Sequence, residues 1–280
     1  MLVVTLLVSL TASPTLVTTR VKGSIEASLM REVGGNGAAL AAQVARLLRW
    51  RGDVIRNVQP NDSIRLLYEE IDRGQGVIPE LVAIAYRGSE IQLFGYRFAD
   101  VDGIPRYFDH SGALVEPWLR NSPTPYVQIT EVVQRGRGKR RHKGIDLKAD
   151  EGTVVYVPFA GRISRVNWST RINGNCVEVI YDSGTYARFL HLSDVAATAI
   201  PGQRVLANTQ IGTVGSTGRS SAAHLHYDLR DHADTILDPF AVHGTEVKRV
   251  SDGRRTQFDK QRTEFNRMLQ ISAESVSAMN

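Results

Sequence analysis

Ala223-His224-Leu225-His226-Tyr227-Asp228-Leu229 carries the reading of this chain. Polar and apolar residues alternate through it, which is the period of a β-strand with one face buried. Side chains two apart in a strand share a face, so His224 and His226 look into the same space while Leu225 and Tyr227 pack behind them. Two neutral imidazoles on one face form a good start to a metal site. A lone His-x-His is common on surface strands, so the argument needs further residues.

Those residues lie upstream. Four of the seven histidines fall between residues 142 and 226, in distinctive settings. Arg141-His142-Lys143-Gly144-Ile145-Asp146 offers one nitrogen and one oxygen ligand on either side of a glycine that lets the chain turn. Phe189-Leu190-His191-Leu192-Ser193 places a third kind of histidine in an apolar segment. Two histidines, one aspartate and a water would complete a tetrahedral catalytic site, in which the metal lowers the pKa of its water to about 7 and polarises a carbonyl.

Working outward, the segments Thr153–Pro158, Gly161–Asn167, Cys176–Tyr181, Thr185–Leu190, Gln210–Val214 and His224–Arg230 are short, β-rich and regularly separated by turns, which predicts a compact antiparallel β domain. Ahead of them, Gly37–Leu48 repeats apolar residues at three and four and is rich in Ala and Leu, which predicts a helix. Residues 15–30 read as a strand and a polar turn. Ile64–Glu69, Glu80–Tyr86 and Ile91–Phe98 read as strands, with a shorter one at Arg106–Asp109. Asn121-Ser122-Pro123-Thr124-Pro125 reads as a linker, because its two prolines interrupt helix and sheet alike. Arg254–Gln270 reads as a charged helix with Phe258, Phe265 and Leu269 on one stripe. The expected class is α+β: an N-terminal α+β region over 1–125, an antiparallel β-sheet domain over 126–245, and a C-terminal helix and tail over 246–280.

The composition sets outer limits. With 280 residues, 42% hydrophobic and 22% charged, the chain is long enough for two domains and has the balance of a folded protein. A single cysteine, Cys176, excludes an internal disulfide and a cysteine-rich zinc site; it sits in a strand pattern and is expected to be buried and inert. The net charge of +5 suits an anionic partner. Six Lys/Arg lie between Arg135 and Lys143, but no nucleic-acid reading element accompanies them, so no nucleic-acid partner is expected. Gly212–Gly218 holds three glycines without a following Lys-Ser/Thr, which argues against a phosphate loop. His110, His232 and His243 lack ligand-like company and read as surface or turn histidines. The apolar run Leu2–Leu10 is shorter than the ~20 residues a bilayer span requires. No Lys or Arg precedes it, so it reads as a strand in a chain whose export signal has been removed or lies outside it, with a signal-peptide core as the other reading.

Residues 142–239 resemble the LytM/lysostaphin-type zinc metallopeptidases of bacterial cell walls. The resemblance rests on His142-Lys143-Gly144-Ile145-Asp146-Leu147, Gly152–Pro158 with Gly161-Arg162-Ile163, Asn173–Val179, and Leu190-His191-Leu192-Ser193. It continues through Gly202–Val205, Ile211–Ser220, His224-Leu225-His226-Tyr227 and Leu237-Asp238-Pro239. It implies that His142, Asp146 and His226 hold Zn2+. It also implies that His191 and His224 are catalytic without being ligands, one taking or orienting the water's proton and the other stabilising the oxyanion, with the assignment between them open. Two departures from the pattern are the short, basic 136–141 stretch, which alters one groove wall, and Ala223 in place of a common proline. Val21–Leu29, Asn61–Glu69 and Tyr107–Gly112 are similar to the region ahead of the peptidase in Gram-negative murein DD-endopeptidases, where such a region can cover the groove; a docking or folding module is the other reading. The implied function is hydrolysis of peptide cross-links of peptidoglycan, at the D-alanyl–diaminopimelate bond, in the periplasm or cell envelope and without a transmembrane span in this chain. The rival is a LytM-type protein that activates cell-wall amidases without an activity of its own; such proteins have lost ligands, whereas all five positions are filled here.

Overall fold

The computed structural model describes residues 13–72, 76–134 and 142–271. The strand expected at Leu2–Leu10 lies outside them. The fold is α+β and mostly antiparallel sheet, and it divides into two compact units: residues up to Glu116 together with those from Lys248 onward, and Pro117–Val247. The C-terminal helix therefore completes the first unit.

The first unit is built on a five-stranded sheet in the order β1 (Thr15–Arg20), β2 (Ser63–Asp72), β3 (Val77–Arg87), β4 (Gln92–Ala99) and β5 (Pro105–Phe108). Both faces are covered. Ile64, Leu66, Leu81, Ile84 and Leu93 pack with Leu29, Leu40, Val44 and Leu48 of two helices, α1 (Ile25–Val33) and α2 (Asn36–Leu48). The other face carries Leu67, Val82, Ala83, Phe94, Tyr96 and Phe98 against Phe258 and the buried Leu269. Val82 and Ala83 are consecutive yet join the same core, because a bulge opposite Leu67 and Tyr68 adds a residue to β3 there.

Helix α1 occupies sequence that reads as a polar turn. Its nine residues are too few to show a clear helical period, and its start rests on a local cap, the Ser24 hydroxyl accepting from Ala27 N at 3.0 Å. A one-turn helix, α3 (Val54–Asn57), starts in the same way on Asp53.

The stripe on the C-terminal helix is a packing face, as its sequence suggests. Phe258 is fully buried, with edge-on contacts to Phe98 at 5.4 Å and Phe108 at 6.0 Å, and Phe265 and Met268 pack beside it.

In the second unit ten strands form one antiparallel sheet. Its main path runs β13 (Arg204–Val205), β10 (Gly161–Val166), β11 (Asn175–Tyr181), β12 (Tyr186–Val195), β15 (Leu225–Arg230), β8 (Ile145–Lys148) and β7 (Gln128–Glu131). β14 (Gln210–Val214) pairs with β12 and β9 (Val154–Tyr156), and β16 (Ile236–Leu237) pairs with β15. One further pair, β6 (Trp118–Leu119) with β17 (Thr245–Glu246), and two short helices, α4 (Thr170–Asn173) and α5 (Pro239–His243), complete the unit; the C-terminal helix is then α6 (Asp252–Met268). The core is Ile129, Leu147, Val155, Ile163, Val177, Val179, Phe189, Val214, Leu225 and Leu229, and Cys176 is buried in it as expected.

Residues 121–125 do not behave as a linker. Proline removes a donor but keeps its carbonyl, and Pro123 O accepts Tyr156 N at 2.7 Å; Thr124, 1% exposed, donates its hydroxyl to Val154 O. The stretch is thus laid along β9 within the second unit.

Phe258→Ala removes the side chain that fills one face of the first unit's sheet. The expected cost is about 3–5 kcal/mol, read as a lower denaturant midpoint for that unit; an unchanged midpoint would mean that α6 contributes nothing to its stability.

Candidate metal centre

The centre is set by strand register. β8 and β15 are antiparallel neighbours, and Asp146 stands directly opposite His226. On the other side of β15, His226 stands opposite Leu190, next to His191 of β12. His142 reaches the same point from the segment just before β8. Gly144 makes that approach possible: a Cβ there would overlap the Tyr227 carbonyl oxygen. The glycine is required for close packing of the His142 segment on β15, a different reason from the turn inferred in sequence.

Three donor atoms converge. His142 Nε2 lies 3.1 Å from Asp146 Oδ1 and 3.1 Å from His226 Nδ1, and His226 Nδ1 lies 2.8 Å from the same Asp146 oxygen. Among the described residues these three form the group of His, Asp, Glu or Cys side chains able to hold a metal ion. The set fits a small divalent ion. Ligands about 2.0–2.1 Å from a tetrahedral ion stand roughly 3.3 Å apart, so the triangle needs to open only by a few tenths of an ångström. Two imidazoles and a carboxylate also match the donor chemistry of such an ion. Their side chains are 12–18% exposed, which shields the centre from bulk water while leaving one side open.

Each histidine's outer nitrogen is engaged, which determines which nitrogen faces the centre. His142 Nδ1 donates to Val132 O at 3.1 Å, leaving Nε2 to face the cluster. His226 faces it with Nδ1, and its Nε2 looks toward Asp228 at 3.7 Å, an electrostatic separation. Asp228 is itself held by Arg230 at 2.9 Å.

His191 and His224 line the same groove. His191 Nδ1 donates to Thr217 O at 2.9 Å and His224 Nδ1 to Ala222 O at 2.8 Å, so in each ring Nε2 is the nitrogen left for the groove. Their ring centroids are 5.0 Å apart, and His224 Nε2 lies 3.7 Å from Asp146 Oδ1. His191 is placed by a distorted backbone. β12 pairs with β15 through Tyr186–Leu190 and with β14 from Leu192 onward, and His191 sits between the two pairings with φ of 66°. That left-handed conformation is uncommon for a non-glycine residue and costs of order 1–3 kcal/mol, borne here by the surrounding sheet.

Electrostatics follow the geometry. Burial disfavours the charged form of Asp146, but hydrogen bonds from His142 and His226 outweigh it and hold the carboxyl well below its usual range. Burial likewise opposes charge on His226, yet the Asp146 and Asp228 carboxylates push it up to about 9. His191 is pulled down to about 4, chiefly by burial, and is neutral at pH 7.

The surrounding groove has a volume of about 830 Å³ and is walled by Trp168, Ile172 and Asn173 on the loop that carries the one-turn α4, Arg219, Ser220 and Ser221 on another loop, and Leu190 on β12. The two loops lock together where Gly218, with φ of 71°, packs against Gly174. Thr217 joins them to the strained histidine: its hydroxyl donates to Leu192 O at 2.6 Å and accepts from Asn175 N at 2.9 Å, and its carbonyl takes His191.

All five residues singled out in sequence thus meet in one groove. Asp228 was missed, although its position two residues beyond His226 on the same strand puts it on the same face. The carbonyls of Val132, Thr217 and Ala222 leave no trace in side-chain identity. His243 corrects a reading: it is buried, not at the surface, with Nε2 2.9 Å from the Tyr227 hydroxyl, Nδ1 on Arg120 O and its ring on Phe159. It closes a five-residue helix whose inner face could not be read without its neighbours.

An aspartate and a histidine on adjoining antiparallel strands, a histidine just ahead of them in the chain and two further histidines beside them make up a metallopeptidase type of centre. The model of peptidase family M23 matches residues 140–239, so this stretch is a peptidase M23 domain. Over a longer stretch it is similar to two proteins of Vibrio cholerae. The peptidoglycan DD-endopeptidase ShyC is 25% identical over 210 residues, covering 70% of this chain and 46% of ShyC. The peptidoglycan DD-endopeptidase ShyA is 26% identical over 264 residues, covering 89% of this chain and 58% of ShyA. The chain thus spans about half the length of these curated relatives. A crystal structure described as a zinc containing peptidase from Vibrio cholerae aligns at 23% identity and a TM-score of 0.39, over 81% of this chain and 69% of that one.

Asp146→Ala and His226→Ala are each expected to lower metal retention by at least about tenfold, since each removes a donor from a three-donor set. Metal content of the purified variants checks this; full retention in both would exclude them as ligands.

Proposed function

We propose that this chain is a zinc-dependent endopeptidase that hydrolyses peptide cross-links of bacterial peptidoglycan, at the D-alanyl–diaminopimelate bond, in the cell envelope. His142, Asp146 and His226 would hold the zinc. The observation that carries the proposal is the pairing of that donor triangle with two histidines whose Nδ1 atoms are tied to backbone carbonyls, which leaves their Nε2 atoms for the groove. Zinc bound there supplies Lewis-acid polarisation of the scissile carbonyl and a water acidic enough to attack at neutral pH.

The protein's own residues do the rest. His191 and His224 each hold a lone pair toward the reacting centre, so either can take the proton that the water loses. Once protonated, either becomes a donor to the oxyanion or to the departing amine. The pair is locked in orientation by the Thr217 and Ala222 carbonyls, which lowers the reorganisation needed at the moment of reaction. Asp146 and Asp228 place negative charge beside His226 and stabilise positive charge at the centre. The groove, of about 830 Å³ and lined by polar and apolar side chains alike, has room for a peptide segment. Similarity to the peptidoglycan DD-endopeptidases ShyA and ShyC supports the DD bond over a glycine bridge. Among the described residues no helix is long and apolar enough to cross a membrane.

His191→Ala and His224→Ala are expected to keep the metal and to lower turnover of cross-linked muropeptides by about 10²–10⁴-fold. Product masses with and without a chelator give the readout. Full turnover in both folded variants would remove them from the chemistry, and amidase activation by a chain that cleaves nothing would favour the non-enzymatic regulator.

We also propose that the leading region, residues 1–125, restrains turnover. A segment in cis at high effective concentration can occupy a groove with weak intrinsic affinity. The second unit by itself, residues 117–247, is then expected to cleave faster than the full chain when folded and metal-loaded. Equal or slower cleavage would leave the leading region as a docking or stability module.

A further inference from the structure

The first unit carries a second polar cavity, remote in sequence from the histidines. It has a volume of about 550 Å³ and is lined by Arg20, Asn61, Ser63, Arg65, Ala85, Arg87, Gln270 and Ile271. Among the described residues three arginines and no carboxylate line it. Register explains the convergence. Arg20 of β1 stands opposite Ser63 of β2, and Ser63 stands opposite Arg87 of β3. Arg65 is two residues along β2 from Ser63 and shares its face. Strands are spaced about 4.8 Å apart, so three guanidinium groups with flexible stems can meet above the Ser63 hydroxyl.

The arginines are partly fixed, and by neutral groups. Arg20 Nη1 donates to Asn61 O at 3.0 Å, and Arg65 Nη1 donates to Leu269 O and Gln270 O at 3.0 and 2.9 Å, where α6 ends. Arg87 lies with its Cζ 5.4 Å from the centre of the Phe94 ring. A carbonyl or a ring orients a guanidinium without cancelling its charge. Each fork keeps further N–H groups for a ligand, since a guanidinium carries five. Asp62, adjacent in sequence, is no counter-ion: it is buried, accepts from Gln59 N and the Tyr86 hydroxyl, and does not line the cavity.

We propose that this pocket is a phosphate-binding site formed by Arg20, Ser63, Arg65 and Arg87. The chemistry selects phosphate over carboxylate. One arginine fork satisfies the two coplanar oxygens of a carboxylate, whereas three forks from three strands match the several oxygens of a tetrahedral anion. The Ser63 hydroxyl supplies a further donor from the cavity floor. A volume of 550 Å³ exceeds that of one phosphate and admits the group as part of a larger molecule. The source is then either a phospholipid headgroup or a free phosphate compound. The bland alternative is that Arg65 caps α6 and the other two are solvated surface charges.

The test uses the full chain at constant ionic strength. Inorganic phosphate is titrated by calorimetry against a chloride control, and phosphatidylcholine vesicles with and without phosphatidylglycerol are co-sedimented with the protein. Arg65 is left in place because it supports α6. The double variant Arg20→Gln/Arg87→Gln removes two forks and their charge; Arg20→Lys/Arg87→Lys keeps the charge and removes the forks. Saturable binding of phosphate that falls by roughly tenfold or more in both double variants assigns the pocket to free phosphate compounds. Binding only to phosphatidylglycerol vesicles, with the same loss, assigns it to a lipid headgroup. No binding of either probe, or equal binding by the glutamine variant, overturns the proposal. Equal binding by the lysine variant also overturns it, because diffuse attraction rather than a built site would then explain the result. Melting curves of both variants that match the unsubstituted chain ensure that a loss reads as a loss of binding.

Discussion

The antiparallel pairing of β8 with β15 is the constraint on which the centre depends. It puts Asp146 opposite His226, and the short approach over Gly144 delivers His142 to the same point. A slip of one residue would turn Asp146 to the other face and bury it against Leu225 and Tyr227. Register is protected because those alternate residues, with Leu147 and Ile145, are fully buried on the opposite side. The apolar half of each strand therefore holds the polar half in place, and the donor triangle is a by-product of core packing as much as of its own attractions.

The second pair of histidines depends on a different device. A regular β12 would not bring His191 to the groove in this way; the switch of partners at that residue and its left-handed backbone do so. Strain at one residue is sustained by several well-formed bonds nearby, among them those of Thr217 to Leu192, Asn175 and His191. The two groove loops are consequently not independent. Their glycine–glycine contact and the Thr217 bonds couple the shape of the groove wall to the orientation of a histidine at its floor.

The first unit uses its sheet on both faces, which is why it needs helices from both ends of the chain. α1 and α2 cover one side and α6 the other. Past the end of α6, Ser63, Arg65 and Arg87 succeed Leu67 and Ala83 along the same strands, and the described residues bring no further apolar cover there. A cationic pocket at that edge is what remains when a packed helix ends over a sheet whose final residues are polar.

Much of this was legible in sequence because it is periodic or local. Alternation along 223–229 identifies a strand and puts two histidines on one face; the helix at 36–48 and the stripe on α6 follow from spacing; the motifs around His142, His191 and His224 identify the five residues of the centre. What sequence could not supply comes from contacts between distant segments. Residues 121–125 look like a linker because prolines do, but Pro123 and Thr124 are held by β9. His243 looks exposed because its partners, Tyr227, Arg120 and Phe159, are spread over more than 100 residues. Gly144 looks like a turn, and only the neighbouring strand shows that it is a gap. Side-chain chemistry, then, was settled by residue identity and short-range pattern. Which nitrogen of His142, His191 and His224 faces the centre, and why His191 points there at all, was decided by backbone carbonyls and a strand that changes partners, because such groups are common to every residue and acquire meaning only when the fold brings them together.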